Sequence, residues 1–128
     1  KIMRLNQIQT AFVREALAPL NPAAIYLFGS HGTSSCHPHS DIDIAFLSES
    51  SIDAFRVFQI ASSLSGVLAR EVDLIDLSRA STVLRKEVIR TGEAIHVRDE
   101  AAMRQFEMRA LSDYARLNEE RCEILASL

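Results

Sequence analysis

The sequence has little of what would tie it to a membrane, a secretory route or a nucleic acid. Its two cysteines, Cys36 and Cys122, lie far apart and make no disulfide framework, so a reducing cytoplasm is the expected location. No apolar run approaches the ~20 residues a membrane-spanning helix needs. The start lacks the basic, apolar and small-residue order of a secretory signal. With four glycines and three prolines there is no Gly- or Pro-rich linker, and no internal repeat or low-complexity tract is visible. Positive charge is not in excess either. The 14 Lys and Arg against 17 Asp and Glu leave a net charge of −3, which disfavours nucleic acid as the main partner, because phosphate backbones are normally met by a basic face. A nucleotide is not disfavoured in the same way, since a metal ion can offset its charge.

What is present suits one core. The 128 residues are 48% hydrophobic and 24% charged, the balance of an ordinary globular unit, so residues 1–128 are expected to form a single domain. Residues 2–18 read as an amphipathic helix with Ile2, Leu5, Ile8, Phe12, Ala16 and Leu17 near one stripe, broken by Pro19 and Pro22. Residues 24–28 are uninterruptedly apolar and stop at Gly29, as a strand buried on both faces would. Ser30 is placed to open a short helix, and residues 33–40 read as loop. Strands are expected at 41–47 and 71–77, with a helix over 51–69 between them that turns Ile52, Phe55, Ile60, Leu64, Val67 and Leu68 inward. Ser78 is expected to cap a helix over 79–91 that Gly92 ends. An edge strand at 93–97 and a long helix from Asp99 complete the chain, with Phe106, Ala110, Tyr114, Leu117, Ile124 and Leu128 at helical spacing. The alternation defines an α/β (α+β) fold: a small mixed sheet of three to four strands flanked by helices.

Three features converge on chemistry. Gly29-Ser30 follows a strand, where glycine admits a ligand close to the backbone and the amides of a following helix attract phosphate. Asp41 and Asp43 are two apart on a strand and so share one face, with Ile42, Ile44 and Phe46 on the other. Two adjacent carboxylates repel unless a cation sits between them, and magnesium prefers such oxygen ligands. Asp73 stands beside that pair if its strand neighbours theirs, as a further metal ligand or as base for an attacking hydroxyl. Glu71 and Asp76 compete with it; Asp76 falls on the opposite face and Glu71 at the strand mouth.

The order Gly29-Ser30, ten residues, Asp41-x-Asp43 and then a strand aspartate resembles the polymerase-β-like nucleotidyltransferase superfamily. The stretch from Ile25 to Val97 is similar to its minimal branch, and with the helical ending around Tyr114, Leu117, Asn118, Glu119, Glu120 and Arg121 it resembles the MntA-type antitoxins. The resemblance implies that Gly29 and Ser30 hold nucleotide phosphates, that Asp41 and Asp43 hold Mg2+, and that Asp73 helps activate the acceptor. It also implies ATP as substrate and a cognate HEPN-domain ribonuclease toxin as partner, neutralised by transfer of AMP to a toxin tyrosine. Such transfer rests on positioning and charge neutralisation more than on covalent work by the protein.

One departure stands out. Family members often continue Gly-Ser with x-Ala-Arg-Gly, whereas this chain has His31-Gly32-Thr33-Ser34 and no arginine there. That absence motivates an alternative, an antitoxin that masks its toxin by binding with little or no catalysis. His31, Cys36, His37 and His39 cluster, but without a second ligand pair at zinc spacing they read as loop, not as a metal site. Arg85, Lys86 and Arg90 read as a solvated helix face, and Tyr26 and Phe28 as core. Larger relatives carry a second domain for the acceptor; none fits after residue 98 here, so a partner is expected to present it. A final helix of about 45 Å outruns so small a domain, and part of its apolar stripe is expected to meet that partner.

Overall fold

The computed structural model describes residues 5–29 and 42–127. Four strands form one mixed sheet, β1 (Ala24–Phe28), β2 (Ile42–Leu47), β3 (Val72–Asp76) and β4 (Glu93–Val97), in the order β3-β2-β1-β4. β1 is antiparallel to β2 and β4, while β2 and β3 are parallel and joined by a crossover helix. The helices are α1 (Gln7–Leu17), α2 (Ala54–Leu68), α3 (Thr82–Thr91) and α4 (Glu100–Ala126), with a short 3₁₀ turn at Ala18–Leu20.

Local chemistry sets most boundaries. α1 opens on a reciprocal cap: the Gln9 amide donates to Asn6 Oδ1 at 2.8 Å and the Asn6 amide donates to Gln9 Oε1 at 3.0 Å. Pro19 tightens its end into the 3₁₀ turn, which closes on Asn21 in the left-handed region. Asp99 caps α4, its carboxylate accepting from the Ala102 amide at 3.1 Å. The α3 cap falls at Ser81, not at Ser78 as expected; Ser81 Oγ accepts from the Leu84 amide at 3.1 Å. Ser78 is committed elsewhere, its amide and hydroxyl both donating to Asp76 Oδ1 in the turn after β3.

The sheet is covered on both faces, which is why β1 is buried at all five positions. On one face Ile25, Leu27, Ile42, Ile44, Phe46, Val72 and Leu74 meet Val13 and Leu17 of α1 and Leu64 and Leu68 of α2. On the other, Tyr26, Phe28 and Ala45 meet Val88 of α3 and the partly buried Met103 and Phe106 of α4.

The inward faces of α1 and α2 differ in part from expectation. Ile8 and Phe12 are 68% and 40% exposed, and the buried row is Val13 with Leu17. Leu17 keeps its expected place with Leu5 and Ala16 packed beside it, while Val13, one residue or about 100° beyond Phe12, takes the inward position because of where the sheet lies. Phe55 and Val67 are likewise 63% and 53% exposed, because the contact side of α2 runs through Leu64 and Leu68 with Val57, Ile60 and Ala61 beside them. The expectations at Ile2, Leu128, Ser30 and residues 33–40, including the His and Cys cluster, lie outside the described residues.

Candidate active site

Three strands converge at one end of the sheet: β1 finishes there, and β2 and β3 begin there. In the register, Phe28 is the partner of Asp43, and Asp43 is the partner of Asp73. Because Ile42, Ile44, Val72 and Leu74 point to α1 and α2, the pleat sends Asp43 and Asp73 to the opposite face, side by side on neighbouring strands. Asp43 is partly buried and Asp73 is exposed. The condition on which Asp73 depended, that its strand neighbours that of Asp43, is met.

Gly29 ends β1 with φ 130°, a backbone conformation that side-chain-bearing residues rarely adopt, so the chain turns there without a side chain beside the strand end. Ser30 and Asp41, the other two residues of the expected constellation, lie outside the described residues. Glu71 is exposed at the mouth and its carbonyl accepts from the Ile42 amide at 2.9 Å. Asp76 is buried on the face away from Asp73 and serves the turn through Ser78; its other oxygen is 3.9 Å from Arg79 Nε.

The carboxylate face is walled by α3 and α4. Gly92, read in the sequence only as a helix stop, also fits the end of β1: a Cβ there would meet the Val88 carbonyl oxygen at 2.3 Å and Phe28 Cβ at 3.4 Å. Arg85 is not part of a solvated face. Its Nε donates to the Leu77 carbonyl at 2.9 Å and an Nη to the Ser78 carbonyl at 3.0 Å, pinning α3 to the turn after β3. Lys86 lies 4.9 Å above the Tyr114 ring, and Arg90 pairs with Glu87. Tyr26 is core as expected, but sequence reasoning missed its partner, since Tyr26 Oη donates to Glu107 Oε2 at 2.8 Å. Burial first, and then the hydrogen bond to and charge of Glu107, raise the Tyr26 phenol well above the ordinary tyrosine range. No pattern in a single sequence announces a contact between residues 81 positions apart.

Two carboxylates on one face, at an open strand end beside a glycine turn, are the oxygen donors a hard divalent cation takes, with waters and phosphate oxygens completing its shell. Among the described residues no group of three His, Cys, Asp or Glu is gathered for a metal ion. The pair Asp43 and Asp73 fits a magnesium ion whose shell is shared with waters and phosphate oxygens.

Residues 6–101 match the sequence profile of the family described as Polymerase beta, Nucleotidyltransferase. The chain belongs to this family. It is 38% identical over 104 residues to Protein adenylyltransferase MntA of Shewanella oneidensis, a match spanning 79% of this chain and 72% of that protein. Among solved structures it is similar to a chain of a toxin–antitoxin with AMP-PNP, at 32% identity, TM-score 0.78 and coverage of 92% and 96% of the two chains. It is also similar to a chain in the complex of a tri-AMPylated Shewanella oneidensis HEPN toxin with MNT antitoxin, at 30% identity, TM-score 0.79 and coverage of 96% and 98%. No helix among the described residues is long and apolar enough to cross a membrane.

Proposed function

We infer that this chain is a protein adenylyltransferase antitoxin, which transfers AMP from ATP to a HEPN-domain toxin and thereby neutralises it. The observation that carries the reading is the register of β2 and β3, which brings Asp43 and Asp73 together beside the Gly29 turn, in a chain whose relatives are an adenylyltransferase and an antitoxin in complex with an AMPylated toxin. Gly29 and Ser30 seat the triphosphate. Asp41 and Asp43, with Asp73 at their side, hold Mg2+, which supplies neutralisation of phosphate charge when bound. Asp73 accepts the proton of the toxin hydroxyl, in this reading a tyrosine. That oxygen bonds to the α-phosphorus, the bond from the α-phosphorus to the bridging oxygen breaks, and pyrophosphate leaves with the electron pair. The same reading places the protein in the cytoplasm and treats residues 1–128 as one domain.

Intact mass of the partner HEPN protein after incubation with this chain, ATP and magnesium tests it. AMP increments are expected, and they vanish in the Asp41→Asn, Asp43→Asn variant. The arginine missing from His31-Gly32-Thr33-Ser34 supports a second reading, masking by contact alone. Under masking, no increment forms and the double variant still neutralises the toxin.

A further inference from the structure

α4 is longer than the body it packs on. Its start is fixed at the head of β1, where the Arg98 and Asp99 amides donate to the Ala23 carbonyl at 2.8 and 3.1 Å. Two turns on, Glu107 accepts from Tyr26 Oη. The helix therefore runs in the sense of β1, toward Gly29, over the sheet face that carries Asp43 and Asp73. Beyond Tyr26 only Leu27 and Phe28 of β1 remain, about 7 Å of strand. Beyond Glu107, α4 continues from Met108 to Ala126, about 28 Å of helix. It contains no glycine or proline to bend it. Its last turns extend beyond the body it packs on. Burial follows the same course: Ala110 is buried, Tyr114 and Leu117 are half-buried, and every residue from Asn118 to Ser127 is exposed.

We propose that Asn118–Ser127 is the docking arm for the acceptor protein, held by a basic, partly apolar surface of the HEPN partner that also covers the carboxylate end of the sheet. The inference rests on the adenylyltransferase reading for the identity of the occupant. Near its tip Ile124 and Leu125 are 62% and 68% exposed. Charge separates the occupants. The arm carries Glu119, Glu120 and Glu123 against Arg121. A second copy of this chain, with net charge −3, would bring like charge to like. Area points the same way. Ten residues of helix, ~15 Å long and ~10 Å across, offer on the order of 250 Å², far short of the ~800 Å² per partner of a stable interface. A partner that extends from the arm onto the sheet end reaches that area, and it brings a hydroxyl to Asp73 in doing so.

The test is calorimetric titration of the unaltered chain and of the Ile124→Asp, Leu125→Asp variant with the purified HEPN protein, together with AMP transfer read by mass. The variant is expected to raise Kd at least tenfold and to lower kcat/KM of transfer by a similar factor, with its melting temperature and its binding of an ATP analogue unchanged. A second variant, Glu119→Lys, Glu120→Lys, Glu123→Lys, keeps the apolar residues and is expected to slow association at least tenfold at low salt. Unchanged binding in both variants overturns the docking arm and leaves the enzyme reading standing if AMP is still transferred. Loss of binding confined to a Phe55→Asp, Phe58→Asp variant, at the exposed aromatic pair of α2, overturns it too. Binding through the arm without AMP transfer by the unaltered chain sinks the enzyme reading and supports the arm. No binding by the unaltered chain overturns both.

Discussion

Replacing Asp73 with asparagine separates what the carboxylate pair does for catalysis from what it does to stability. Asp43 and Asp73 are Cα partners on adjacent strands and point to the same face, so their backbones stand about 5 Å apart, the spacing of neighbouring strands, and about 5 Å serves as the scale for their charges. Two like unit charges at that distance repel by about 0.8 kcal/mol in water and about 3 kcal/mol at an effective dielectric of ~20. Asp73 is exposed, so the screened end of that range applies, about 1 kcal/mol. Asparagine keeps the shape and removes the charge. The metal-free Asp73→Asn chain is therefore expected to be more stable than the unaltered one, by about 1 kcal/mol or roughly 3–5 °C in Tm. On the proposed reading magnesium is expected to reverse the order, because it would stabilise the form whose carboxylates it binds. With Asp73 as the base, AMP transfer by the variant is expected to fall by about 10²-fold or more. Urea and thermal unfolding followed by circular dichroism, in EDTA and in excess magnesium, measure each quantity, and the EDTA difference is expected to shrink as salt is added. A variant no more stable than the unaltered chain in EDTA, with the same response to magnesium, would refute the shared site.

The remaining predictions concern the frame around that site. Tyr26→Phe strips the Glu107 carboxylate of its donor and is expected to cost about 1–2 kcal/mol by urea unfolding, while Glu107→Gln, which keeps an acceptor, costs less. The folded-state pKa of Tyr26 is raised, so its contribution to stability is complete below the ordinary tyrosine value of about 10 and is lost as pH rises beyond it; a pH–stability series should show that alkaline decline flattened in Tyr26→Phe. Gly92→Ala forces a Cβ against the Val88 carbonyl and Phe28 and is expected to cost about 1–3 kcal/mol in thermal unfolding, with AMP transfer reduced because Phe28 adjoins Gly29. Ala69 ends α2 with φ 56°, in the left-handed region where a Cβ is penalised, so Ala69→Gly is expected to raise stability by about 1 kcal/mol.

The placement of Asp43, Asp73 and Gly29 at one end of the sheet was partly legible in the sequence. The alternation of Asp43 with Ile42 and Ile44 assigns faces by itself, since a strand has period two. The apolar run at residues 24–28 ending at Gly29 marks both a doubly covered strand and the turn after it. Asp99 before a helical pattern and Gly92 after one mark ends that the structure keeps. Ser78 misled because two serines stand near the start of α3, and the choice between them depends on Asp76, which draws Ser78 into its own turn.

The sequence by itself determined the described strands and longer helices, their order and the faces of Asp43, Asp73 and Asp76, because period, caps and turns act over a few residues. Only the tertiary structure decided the rest. That Asp73 stands beside Asp43 follows from the crossover that lays β3 parallel to β2. That α1 buries Val13 beside Leu17 and leaves Ile8 and Phe12 outside follows from where the sheet lies beneath it. That α4 outruns its support follows from the size of the sheet it packs on, three of whose four strands lie far back in the chain. Each is a relation between surfaces distant in sequence, and burial ranks such relations only once the whole chain has packed.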